Sequence, residues 1–290
     1  MPDRSAPPPS DALAIRRLGH RIAAAPRRTG GAVLLREAVP RPPVHPHALA
    51  VALIDRLRPR PADMEVRAVH RIGGKAAAVG LERHLEPGGR LEGRGAERVL
   101  AAGTTLVIQK ADAQSPGWDR LARAFEAETA QPCQVNLYAG PPEAPGLPWH
   151  RDPHDVLMLA LAGEKIVDVA ARLGPRGPER EERVVLRAGD ALWLPRGTPH
   201  QAANGPSGAV HAAIGLLHLV EDGNALVRAR DADSPSLSPG GWHLLPPARA
   251  EATRSALTRW RPGAPPLYPR IRDLTDLVVQ AIEEDIHAPA

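Results

Sequence analysis

The apolar positions of this chain fall into short runs separated by proline, glycine and charged residues, and their spacing changes along its length. Leu13, Ile15, Leu18 and Ile22 are spaced for a helix from Asp11 to about Ala25, closed by Pro26. Ala32 to Leu35 reads as a short strand, and Pro46 to Leu57 as a second helix stopped by the run RPRPAD. Residues 63–100 give weaker signals: VRAVHRI reads as a strand, and Gly73-Gly74 and Gly88-Gly89 as turns. Thr104 to Gln109 is strand-like. Ser115-Pro116 then open a helix whose core face is Trp118, Leu121, Ala122 and Phe125, at i, i+3, i+4 and i+7.

From Gln134 the pattern becomes β throughout. QVNLY is a strand with Gln134, Asn136 and Tyr138 on one face. Val156 to Leu161 is a buried strand bounded by a turn at Ala162-Gly163, and IVDVAA follows Lys165. GPRGPEREER reads as a polar loop before the strand VVLRA. Ala191 to Leu194 and GAVHAAIGLLHL complete the set. Residues 221–247 are loop-like, with SPSLSPGG a linker, and two helices fit Ala248 to Trp260 and Ile271 to Ile286.

The expected fold class is therefore mainly β with flanking helices. Three regions are expected: 1–96, helical and irregular with a disordered Pro-rich start over the first ten residues; 97–220, a barrel; and 221–290, a linker with C-terminal helices.

Composition narrows the function classes. The pI is about 9.8, yet 37 basic residues against 33 acidic leave a net charge of only +4. The arginines are scattered and no basic block alternates with aromatics, which argues against nucleic acid as a partner. The single cysteine, Cys133, excludes an intramolecular disulfide and a cysteine zinc site, and fits the reducing cytoplasm. No apolar run has the length of a membrane span, so no membrane partner is expected.

Two short segments carry the chemistry. In PWHRDPHDV, His150 and Asp152 are two apart, so an extended backbone presents both side chains to one face. In AGDALWLPRGTPHQAAN, Pro195 and Gly197 break a strand and return His200 toward the interior. Two imidazoles and one carboxylate are the donor set of the facial triad that leaves positions on iron open. His154 competes with Asp152, because it lies four residues from His150 as in helical metal motifs. Pro153 makes a helix there unfavourable, and Asp152 is preferred.

The spacing of Gly189, Pro195, Gly197, His200 and Asn204 resembles the second motif of the cupin superfamily. With Asn136, Tyr138, the loop AGPPEAPGLP, His150-Arg151-Asp152, Gly163-Glu164-Lys165 and PRGTPHQ, residues 97–220 resemble the JmjC-type cupins, and among them the ribosomal oxygenases. The resemblance implies a double-stranded β-helix and an iron(II)- and 2-oxoglutarate-dependent hydroxylase. It assigns His150, Asp152 and His200 to the metal and Lys165 to the far carboxylate of 2-oxoglutarate. It also places Asn136, Tyr138 and His211 around the cosubstrate, with O2 as co-reactant. Lys165 is one of only three lysines, with Lys75 and Lys110, in an arginine-dominated chain.

Trp149 and Arg151 depart from the family pattern and are expected at the barrel mouth as substrate contacts. The substrate expected from the resemblance is an amino-acid side chain in a protein or peptide. A tailoring hydroxylase of a small or peptide-derived natural product is a second reading, and a metal-binding cupin without turnover a third. C-terminal helices of this kind mediate dimerisation in the family, which implies a homodimer.

Overall fold

The computed structural model describes residues 9–39, 44–62, 66–72, 75–129, 133–152, 154–216, 219–222 and 225–228. The two C-terminal helices expected from the sequence, the linker before them and residues 1–8 lie outside these. So does His218.

Helix α1 (Pro9–Ala24) precedes strand β1 (Val33–Leu35), and helix α2 (Pro46–Leu57) starts with proline at its first turn, where a missing N–H costs nothing. Strands β2 (Val66–Ile72) and β3 (Lys75–Val79) form a hairpin. Helix α3 (Gly93–Ala101), strand β4 (Thr105–Ile108) and helices α4 (Ala111–Gln114) and α5 (Pro116–Thr129) follow. Neither β3 nor α3 was expected from the sequence: KAAAV and GRGAERVLA are too rich in alanine and glycine to show a hydrophobic period. The core face expected for α5 is the observed one, since Trp118, Leu121, Ala122 and Phe125 are all buried.

Strand β5 (Cys133–Gly140) alternates between two environments, and the long strand β6 (Asp155–Val169) runs straight through the expected turn at Ala162-Gly163. The segment expected to be a loop folds instead as a small hairpin of β7 (Arg172–Gly174) and β8 (Gly177–Glu179), turning at Pro175-Arg176. Proline and glycine there make the turn as well as the breaks. Strands β9 (Glu182–Arg187), β10 (Ala191–Leu194) and β11 (His200–Leu216) complete the sheet, and β12 (Leu219–Asp222) pairs with β13 (Ala225–Arg228).

Nine strands form one antiparallel sheet in the order β1-β10-β6-β11-β5-β4-β2-β3, with β9 also on β6. The strands before residue 97 thus extend the same sheet. Leu157, Leu159, Val135, Leu137, Ala212 and Ile214 pack with the helices in one core. Val156, Met158, Ala160, Val167, Leu192 and Ala213 face a second core, together with Tyr138. Because both faces of β6 are covered, its sequence is a continuous apolar run rather than an alternating one.

The Ala162-Gly163 irregularity is a β-bulge. Val210 pairs with Ala162 and the next residue, His211, pairs with Ala160, so Leu161 has no partner opposite. Leu161 and Ala162 both pack into the helix-side core. Alternation is thereby reversed, and Lys165 and Val167 face the interior that Met158 and Ala160 faced before the bulge. Gly163 sits at φ +72°, and a Cβ there would collide with the Gly208 carbonyl and lie 2.7 Å from the Pro46 ring.

Candidate metal and cosubstrate site

His150 and His200 are brought together by their own backbones. Each N–H donates to the other's carbonyl at 3.0 Å, an antiparallel bridge that sets the two side chains next to each other. Their rings stand 4.2 Å apart between centroids. The turn at Pro195–Thr198 that delivers His200 is tied down on three sides. Gly197 N–H donates to the Asp152 carbonyl at 2.9 Å, Arg196 N–H to Asp155 Oδ1 at 2.7 Å, and Thr198 Oγ1 to the Gly30 carbonyl at 2.8 Å.

The ring tautomers follow from the partners of the Nδ1 atoms. His150 Nδ1 lies 2.7 Å from the Pro148 carbonyl and His200 Nδ1 3.0 Å from the Thr198 carbonyl, contacts that require Nδ1 to carry the hydrogen. Both Nε2 atoms then carry the lone pair, and they lie 3.8 Å (His150) and 3.5 Å (His200) from Asp152 Oδ2. Burial, and next the neighbouring His150, push His200 down to about 4, so its imidazole is neutral at physiological pH and its lone pair available. One ligand atom from each of His150, Asp152 and His200 lies within 4.8 Å of the others. Exposure is graded across the three side chains: 2% for His200, 20% for His150 and 28% for Asp152. The cluster therefore opens on the Asp152 side. His154, the competing candidate, is outside it and packs against Gly215.

Lys165 lies in the same interior and is 1% exposed. Its Nζ donates to Asn204 Oδ1 at 2.9 Å, and no carboxylate among the described residues pairs with it. Burial pushes its ammonium down to about 7. His211 is buried, its Nδ1 has no hydrogen-bond partner among the described residues, and burial followed by the charge of Lys165 keeps its ring neutral. Tyr138 stacks on His211 with centroids 4.6 Å apart and planes 11° from parallel. Burial first, and then the charge of Asp152, push the Tyr138 hydroxyl up to about 12. Charge and ring contacts thus link Lys165 to His211, His211 to Tyr138 and Tyr138 to Asp152.

The remaining expected residues fall further out. Asn136 shares the inward face of β5 with Tyr138, but its Oδ1 accepts from Gln134 Nε2 at 2.9 Å and Lys110 N–H at 3.0 Å. Trp149 is partly buried beside His150. Arg151 points to the β7–β8 hairpin, where Nη2 lies 3.4 Å from the Leu173 carbonyl.

Residues 108–221 match the family described as JmjC domain. This stretch is similar to JmjC domains.

Ribosomal oxygenase 2 of Bos taurus is 38% identical over 88 residues, 27% of this chain and 19% of that protein. The Rattus norvegicus protein of the same name is 36% identical over 95 residues, 29% of this chain and 19% of its own. The aligned stretch thus spans about a fifth of the length of these curated relatives. Among solved structures, YcfD, a ribosomal oxygenase from Escherichia coli in complex with cobalt and 2-oxoglutarate, is 17% identical. It covers 80% of this chain and 64% of its own, at a TM-score of 0.43.

The nine-stranded sheet with its flanking helices is the mainly β class expected from the sequence. Sequence reasoning assigned Asn204 only to a motif. Its contact with Lys165 depends on register between β6 and β11, which no local pattern encodes. It likewise missed Asp168, a buried outward-facing carboxylate of β6 that accepts from Arg183 Nε at 2.7 Å and Gln201 Nε2 at 3.1 Å. These bonds, the one from Arg183 foremost, hold its carboxyl below the usual range and tie β9, β6 and β11 together behind His200. No helix among the described residues is long and apolar enough to cross a membrane.

Proposed function

We propose that this protein is an iron(II)- and 2-oxoglutarate-dependent oxygenase that hydroxylates an amino-acid side chain of a protein. One observation carries the reading: a fully buried lysine, paired with no carboxylate among the described residues, in the same interior as a His-Asp-His cluster. A buried ammonium costs several kcal/mol unless an anion joins it, so the interior is prepared for a ligand carboxylate. The Nδ1 of His211, without a hydrogen-bond partner among the described residues, adds a second polar contact open to a ligand. The nitrogen and oxygen donor set suits ferrous iron with positions left for other ligands.

His150, Asp152 and His200 would hold the iron, and Lys165 the far carboxylate of 2-oxoglutarate. The metal and keto acid, when bound, supply the oxygen activation and hydroxylation chemistry. The chain's own work is positional. Pro148 and Thr198 carbonyls orient the two imidazoles, Val167, Leu186 and Met158 exclude water, and the stacked Tyr138 and His211 would line the space between Lys165 and the His-Asp-His cluster. Tyr138 stays protonated and able to donate a hydrogen bond.

The name of the mammalian relatives, ribosomal oxygenase, supports a ribosomal protein as the substrate class, and the single buried thiol is in line with the cytoplasm as the location. Trp149 and Arg151 would meet the substrate at the mouth, and the C-terminal helices expected from the sequence support a homodimer, which light scattering measures. The deciding experiment is succinate release from 2-oxoglutarate with iron(II), compared with Lys165→Ala and Asp152→Ala. Turnover in the wild type and its loss in both variants is the expected result. A wild type that neither binds nor consumes the keto acid would exclude this enzyme class.

A further inference from the structure

We infer that Asn204 is the positioning residue for Lys165, and that only an uncharged acceptor at this place leaves the ammonium free to receive a ligand carboxylate. The inference deepens the proposed cosubstrate site and rests on it.

Asn204 and Lys165 are directly opposite in the β11–β6 ladder. The amide is fixed at both ends: Oδ1 accepts from Lys165 Nζ at 2.9 Å, while Nδ2 donates to the Pro141 carbonyl at 3.2 Å. Because Pro141 offers only an acceptor there, the amide cannot flip without facing NH2 toward a carbonyl-starved ammonium. The loop carrying Pro141 is itself sewn to β11. Asn204 N–H donates to the Ala144 carbonyl at 3.0 Å, Gly146 N–H to the Ala202 carbonyl at 2.9 Å and Ala202 N–H to the Leu147 carbonyl at 3.2 Å.

Two glycines make room for the pair. A Cβ at Gly140 would collide with Asn204 Nδ2, and one at Gly146 would lie 2.6 Å from the Ala202 carbonyl and 3.2 Å from Lys165 Nζ. Strand, loop and glycines together close a cradle around one amide and one ammonium.

The choice of amide matters electrostatically. An aspartate of the same shape would neutralise Lys165 and repel the carboxylate of an incoming keto acid. An alanine would leave a long side chain with four rotatable bonds unanchored. Asparagine holds the position of the cation without spending its charge.

Two measurements on the full chain test this. With 13C-labelled lysine, three side chains titrate (Lys75, Lys110 and Lys165), and the Lys165 signal is identified by its absence in Lys165→Met. Asn204→Asp should move that titration upward by more than about one pH unit, as a new adjacent carboxylate does. Next, manganese(II)-loaded protein is titrated without oxygen against 2-oxoglutarate and against oxalate, a chelator lacking the far carboxylate. Asn204→Asp should weaken 2-oxoglutarate about 100-fold and oxalate less than about twofold, while Asn204→Ala should weaken 2-oxoglutarate about tenfold by loss of a charged hydrogen bond. In turnover the Asn204→Ala loss should appear in KM rather than kcat.

An unmoved Lys165 titration in Asn204→Asp, or equal weakening of both chelators, would overturn the inference. A wild type that binds oxalate but not 2-oxoglutarate would instead refute the function proposed above, and the lysine titration would still decide the role of Asn204.

Discussion

His150 and His200 exchange both backbone hydrogen bonds at 3.0 Å although fifty residues separate them. Each ring also spends its Nδ1 on a carbonyl two residues earlier, Pro148 or Thr198. The juxtaposition of the two imidazoles is thus built from main chain, so under the proposed function little ordering entropy would be lost on metal binding.

Removing a ligand should therefore abolish metal affinity while leaving the fold. Asp152→Ala or His150→Ala is expected to weaken manganese(II) or cobalt(II) binding by more than about 100-fold, beyond the effect of losing an outer-shell partner. Calorimetric titration measures it, with circular dichroism showing an unchanged fold.

The charge of Lys165 should make keto-acid binding depend on pH. Burial places its proton near 7, and a ligand carboxylate beside it favours the charged form. Binding above that pH must then take up a proton. Affinity for 2-oxoglutarate is expected to fall by up to about tenfold per unit between pH 7.5 and 9.5. Titrations in two buffers of different ionisation enthalpy count the protons, and a flat profile with no uptake would contradict the assignment.

The same lysine should cost the ligand-free protein stability. Folding lowers its proton affinity from 10.5 to about 7, so between those values the unfolded chain binds more protons and this group's contribution improves as pH rises. Below about 7 the penalty is present in full. Lys165→Met is expected to stabilise the ligand-free protein at pH 6 by about 1–3 kcal/mol, with the gain shrinking toward pH 10. Denaturant midpoints of the two proteins across that range provide the check.

Two glycines with the same backbone angle should respond differently to alanine. Gly163 and Gly89 both sit at φ +72°, but a Cβ at Gly89 has nothing within 4 Å, whereas at Gly163 it meets the Gly208 carbonyl and Pro46. Gly89→Ala should cost about 1 kcal/mol, the left-handed penalty alone. Gly163→Ala should cost about 2–4 kcal/mol, because overpacking at the bulge adds to it. Urea unfolding separates the two, and equal losses would show that the bulge tolerates the methyl group.

Several elements were legible in the sequence because their signals are local. Pro46–Leu57 and Val66–Ile72 are observed with the bounds read from proline, glycine and apolar spacing. His150 and Asp152 needed only the two-residue period of an extended chain, and the return of His200 only the breakers Pro195 and Gly197. The β7–β8 hairpin was hidden because its prolines and glycines read equally well as a loop, and β3 and α3 because alanine marks neither period.

By itself, the sequence determined which side chains can do chemistry here: two histidines, a carboxylate and a rare lysine, at spacings that strand periodicity turns into shared faces. Only the tertiary structure decided where Lys165 points. Simple alternation from Met158 and Ala160 would turn it outward, and the unpaired Leu161 reverses that, through a register shift set by β11. A bulge exists only between two strands, so its effect on side-chain direction cannot be read from either strand alone.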